Sequence, residues 1–141
     1  MSYPQMFNNI LGSLMEQIVE RFPTNVDLLL AQKTTEQFRK INPVLLIKVW
    51  YSLVTIPYEE YILTGNIDYF LNKDYTEDIS KLQNIQQLGM SNDKILNIID
   101  GLRTPIRSMA PEEKKKYTDM IIQLTKLSKL YTQSKLGGSQ K

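Results

Sequence analysis

Neither histidine nor cysteine occurs among the 141 residues, so any chemistry must run on carboxylates, amines, guanidinium groups or phenols. Histidine is the usual general base and transition-metal ligand near neutral pH. Without it or cysteine, a Ser-His or Cys-His nucleophile cannot be assembled, and a zinc site would need carboxylates alone. Disulfides are excluded as well. Three acidic doublets remain, Glu59-Glu60, Glu77-Asp78 and Glu112-Glu113. Adjacent residues on a helix point about 100° apart, so a doublet is a poor acid/base pair and reads as solvated surface. Asn72, Asp74, Thr76 and Asp78 set oxygen ligands at alternate positions, as a calcium loop does. However, Glu77 stands where that loop needs a turn glycine, and Gln83 where a bidentate Glu would close it. Neither G-x-G nor G-K-[ST] occurs, which leaves no phosphate cradle. The expectation is a non-enzyme with no catalytic residue, metal or cofactor.

Binding is the remaining class. Lys114, Lys115 and Lys116, together with Arg103, Arg107, Lys126, Lys129 and Lys135, form the strongest basic concentration. Such a cluster is a solvated face, a site for an acidic protein, or a nucleic-acid contact. Three consecutive lysines fan over about 200° of a helix, which weakens the last reading because phosphate recognition wants one stripe. Tyr117, Met120, Leu124, Leu127 and Tyr131 repeat at 3-4-3-4 spacing, with Ile121 and Leu130 beside them. Such an a/d seam either packs on the body as one more core helix or projects and zips to a partner or a second copy. The seam, Lys114–Lys116, Arg103 and Arg107 are the candidate partner-binding residues. Trp50, Tyr51, Tyr58 and Tyr61 read as core packing near a proline bend, or as the wall of an aromatic pocket.

Helical periodicity supplies the frame for these groups. Tyr3, Phe7, Ile10, Leu14, Ile18 and Phe22 fall on one face of a first helix, started at Ser2-Pro4 and stopped by Pro23. Thr24 is expected to cap a second helix carrying Leu28, Ala31, Thr35 and Phe38. The apolar stretch from Pro43 is β-branched, so a strand competes. Helical phasing gathers Lys48, Ser52 and Thr55 into one polar stripe, which favours a central core helix ended at Pro57. Short helices follow over 58–63 and 66–75. Another, opening at Thr76, carries Ile79, Leu82, Ile85 and Leu88 to Gly89. Ser91 caps the next, which Pro105 kinks or ends. Pro111 opens the last, with Glu112 and Glu113 suited to its positive end.

The whole is expected to be all-α, a compact bundle of about six to eight helices with a longer C-terminal helix. It would form a single domain over 1–136 with a flexible tail over 137–141. No stretch approaches the roughly 20 apolar residues that span a bilayer, and no secretory leader pattern opens the chain. The net charge of +2 hides a gradient. Residues 1–56 carry five cations against four anions, 57–100 three against eight, and 101–141 nine against three. Solvated faces explain this blandly. A sharper reading docks the two ends onto different neighbours, or head to tail onto copies.

The stretches NPVLLIKVWYSLVTIPYEEYI and IDGLRTPIRSMAPEEKKKYTDMI, with Ile- and Asn-rich usage, resemble small helical virion proteins of large DNA viruses of algae or amoebae. The resemblance covers roughly residues 40–131 and rests on no motif, so it carries over no functional residue. It implies a minor capsid protein that bridges or cements capsid subunits, located in the virion. The alternative is a cytoplasmic or nuclear adaptor that uses its basic C-terminal region on nucleic acid or an acidic protein.

Overall fold

A computed structural model describes residues 2–80 and 91–137. The chain is all-α, and its described residues include no strand. In order come α1 (Tyr3–Arg21), α2 (Val26–Ile41), α3 (Leu45–Trp50), a π-helical turn (Tyr51–Thr55), α4 (Ile56–Leu63), α5 (Asp68–Asn72), α6 (Thr76–Ser80), α7 (Asn92–Arg107) and the long α8 (Pro111–Gly137). The part of the Thr76 helix expected beyond residue 80 lies outside the described residues, as does the expected tail except Gly137, which is the last residue of α8.

Local signals set most helix starts. The Ser2 hydroxyl accepts the Gln5 N–H while the Gln5 side chain accepts the Ser2 N–H, a reciprocal capping box. Ser91 caps α7 by accepting from Lys94 N–H at 3.3 Å. At α2 the cap is Asn25 rather than Thr24, with Asn25 Oδ1 accepting the Leu28 N–H at 3.0 Å. Asn is at least as good a cap as Thr, and it stands one residue nearer the helix.

Pro57 does not end the central helix. The chain runs from α3 through the π turn into α4, with Ile56 N–H bonded to Tyr51 C=O. Proline lacks an N–H and its ring clashes with the carbonyl four residues back. One extra residue per turn just ahead of Pro57 relieves that clash and lets the helix continue to Leu63. Likewise Pro105 sits inside α7, which continues to Arg107.

Two antiparallel pairs dominate the packing, α1 with α8 and α2 with α7. Arg21 at the end of α1 meets Glu113 at the start of α8, at 3.0 Å. Phe38 of α2 lies under Lys94 of α7, and Ala31 lies against Gly101. A Cβ on Gly101 would fall 2.4 Å from that of Ala31, so only glycine permits this approach. Between the pairs, α3, the π turn and α4 pack against α8 and join Phe7, Leu14, Ile18, Leu45, Ile47 and Ile121 in one hydrophobic cluster.

Candidate docking surfaces

The C-terminal seam packs on the body. Tyr117, Leu124 and Tyr131 are buried, and Met120 and Leu127 lie half-buried against the core. The face that α8 turns inward extends from this seam onto a neighbouring stripe of small hydroxyl residues. Thr118, Ile121, Thr125 and Ser128 are buried, whereas Leu130 is exposed. Small hydroxyl residues occupy the closest contact because each satisfies itself on its own helix: Thr125 Oγ1 donates to Ile121 C=O at 2.9 Å and Ser128 Oγ to Thr125 C=O at 2.8 Å. Their oxygens also meet the central helix. Trp50 Nε1 donates to Thr125 Oγ1 at 3.1 Å, and Thr55 Oγ1 lies 2.6 Å from Ser128 Oγ. Of the expected polar stripe, Lys48 and Ser52 reach solvent while Thr55 is fully buried in this seam.

Three of the eight cations in the basic concentration, Arg103, Arg107 and Lys129, are engaged within the molecule, whereas Lys115, Lys116, Lys126 and Lys135 are exposed. Arg103 is buried, held by Asp100 at 2.9 Å, and its Nη1 donates to the carbonyls of Phe70 (3.2 Å) and Lys73. Arg107 donates to Leu71 C=O. The two guanidinium groups thus satisfy carbonyls at the end of α5 and just beyond it, which a five-residue helix leaves unpaired. Arg103 also lies over the Tyr75 ring, 5.2 Å from its centre. Lys129 pairs with Glu59, joining α8 to α4. Lys114 is half-buried, Lys115 is exposed, and Lys116 lies over Tyr117 at 5.7 Å. The exposed charged residues of α8 are Glu112, Lys115, Lys116, Asp119, Lys126 and Lys135, four cations with two carboxylates among them. The steep charge gradient is therefore reduced by pairing across the α4–α8 contact and by Asp100 with Arg103.

The electrostatics at the α1–α8 end are ordinary. The Arg21 guanidinium, hydrogen-bonded to the Glu113 carboxylate, lowers that carboxyl from its usual range and is itself raised. Burial pushes the Tyr117 phenol up, helped by the nearby Glu113 charge. Among the described residues no three Asp or Glu side chains gather where they could hold a metal ion. Among the described residues no single helix is long and apolar enough to cross a membrane.

Two concavities among the described residues bear on ligand binding. One, of about 40 Å³, is an apolar gap among Phe7, Trp50, Phe70 and Ile99, far smaller than the roughly 300 Å³ at which organic ligands are usually held. The other is an open groove of about 470 Å³ between the start of α1 and the end of α8, lined by Tyr3, Val44, Tyr131 and Lys135.

Among the exposed side chains are several large apolar and aromatic ones. On α2, Val26 (74% exposed), Leu29 and Leu30 (48%) stand at i, i+3 and i+4 on the side away from buried Leu28 and Ala31. On α4 and α5, Ile56, Leu63, Tyr61 (42%) and Tyr69 (48%) are exposed. Tyr61 and Tyr69 lie 4.3 Å apart between ring centres. Tyr69 stacks on Tyr58 at 6.0 Å with planes 14° apart, and Tyr58 meets buried Tyr75 edge-on. From there the rings continue through Phe70 and Trp50 to Phe7. Of the aromatic group singled out in the sequence, Trp50 is core, Tyr51 and Tyr58 are half-buried, and Tyr61 is surface. The α2 ridge was missed because the sequence reading stopped at one apolar stripe. Its signal was a second stripe on the same helix. No family model matches this chain, and no curated protein or solved structure matches it either.

Proposed function

We propose that this protein is a non-catalytic assembly component, a helical block that joins other proteins through two separate docking faces. The supporting observation is the placement of its exposed large apolar side chains. Val26, Leu29 and Leu30 share the α2 ridge and Tyr61 and Tyr69 share a face of α4–α5, on helices with no substantial interface, while Ile41, Ile56, Leu63 and Leu130 are exposed apart from these two groups. Isolated apolar residues on a surface need no explanation, whereas clusters of them mark interaction sites. Tyrosine suits such a face, offering large rigid contact area at low conformational cost. Two faces make a connector rather than a cap. The sequence resemblance to small helical virion proteins supports a reading of that role as bridging or cementing capsid subunits of a large DNA virus.

An adaptor for nucleic acid through the C-terminal region has less support, since Arg103, Arg107 and Lys129 are engaged within the fold. The test is stoichiometry. In purified, salt-washed virions the chain should be present in a fixed ratio to the major capsid subunits. Its absence from such particles ends the capsid reading.

A further inference from the structure

We infer that the Tyr61–Tyr69 face takes a cationic segment, one presenting arginine or lysine, from a partner protein. This rests on the reading of α4–α5 as a docking face and names the chemistry of what docks there. The face is pre-organised. Tyr61 leans on Tyr69, Tyr69 on Tyr58, and Tyr58 on fully buried Tyr75, so the stack is anchored in the core at one end. The outermost ring, Tyr61, belongs to no further ring pair and carries no cation among the described residues. An open aromatic face carries negative quadrupole potential and attracts ammonium and guanidinium groups.

Charge around the rings points the same way. Glu60 and Asp68, the chain neighbours of Tyr61 and Tyr69, are exposed and make no ion pair among the described residues. The cations that might have answered them are committed elsewhere, Lys129 to Glu59 and Arg103 to Asp100 and the carbonyls beyond Phe70. An anionic partner would meet uncompensated carboxylates. A purely apolar one would leave them beside its interface unpaired.

The test uses the full chain, labelled with ¹⁵N and on its tyrosine rings with ¹³C. It is titrated with three synthetic peptides of equal length carrying Arg, Glu or Leu at the same positions in a Gly-Ser frame. The Arg peptide is expected to shift Tyr61 and Tyr69 signals and to weaken at least several-fold as salt is raised from low to high. Tyr61→Ala should reduce its affinity about two- to fivefold. A Glu60→Gln/Asp68→Asn chain, which changes no ring contact, should do the same, and it decides the matter if Tyr61→Ala fails to fold. Equal binding of the Leu peptide, insensitive to salt, overturns the cationic occupant while leaving a docking face. Self-association in sedimentation that Tyr61→Ala disperses, with no peptide bound, overturns it in favour of a second copy. No binding and no self-association overturns it outright, and the virion measurement then judges the docking reading separately.

Discussion

The aromatic chain that crosses this protein has a buried end and an exposed end, and the two are built differently. At the buried end Trp50 packs between Phe7 and Phe70 and donates its indole N–H to Thr125. At the exposed end Tyr69 and Tyr61 face solvent, and their hydroxyls make no hydrogen bond among the described residues. A buried polar aromatic must find a partner or lose stability. An exposed one gains nothing from its hydroxyl in folding, so its type is better explained by what it meets outside. The inner end should therefore govern stability and the outer end binding.

The largest expected effect is at the inner end. Trp50→Ala leaves a cavity beside one that already exists and orphans the Thr125 contact, and should cost about 3–5 kcal/mol in urea unfolding. A loss under about 1 kcal/mol would mean the inner end is not a stability centre. Next, Arg103→Met keeps the stem but removes the donors to the Phe70 and Lys73 carbonyls and should cost about 1–3 kcal/mol. Amide exchange should quicken over α5 and α6 ahead of the rest. Uniform exchange across all helices would contradict the clamp. A Tyr61→Ser/Tyr69→Ser double variant should stay within about 0.5 kcal/mol of the parent for each site, because exposed positions contribute little to folding. A large loss would erase the distinction between the ends.

The smallest effect belongs to the Arg21–Glu113 pair. Because the folded-state carboxyl of Glu113 is lowered, its contribution is present above the ordinary carboxylate pKa and is lost as pH falls through the lowered value. Glu113→Gln should therefore match the parent at strongly acid pH and differ slightly at neutral pH, less so in high salt. The opposite pH order, measured by thermal unfolding, would refute the assignment.

Helix content and most boundaries could be read from the chain, because caps and periodicity are local. Ser2 with Gln5 and Ser91 ahead of α7 needed nothing from the rest of the molecule. What escaped depends on distant partners. Arg103 and Arg107 look like ligands for something external until the α5 carbonyls, some 30 residues away, arrive to accept from them. The inward face of α8 extends beyond the seam, since hydropathy favours Met120 and Leu127 over threonines and serine that hide their own hydroxyls. Pro57 stops a helix by local rule, but here a π turn packed on α8 carries the chain past it. For the candidate surfaces, Tyr61 belonged to a recognised aromatic group, but which ring faced outward required the fold.

Under the proposed role the outer tyrosines serve assembly rather than folding. This is tested by the copy number of the Tyr61→Ser/Tyr69→Ser chain in salt-washed virions, beside that of the parent, once the two are shown to melt alike. A fixed ratio to capsid subunits is expected for the parent, with a clear loss of the variant from the particles. Full retention of the variant, or a parent chain missing from the washed particles, would contradict it.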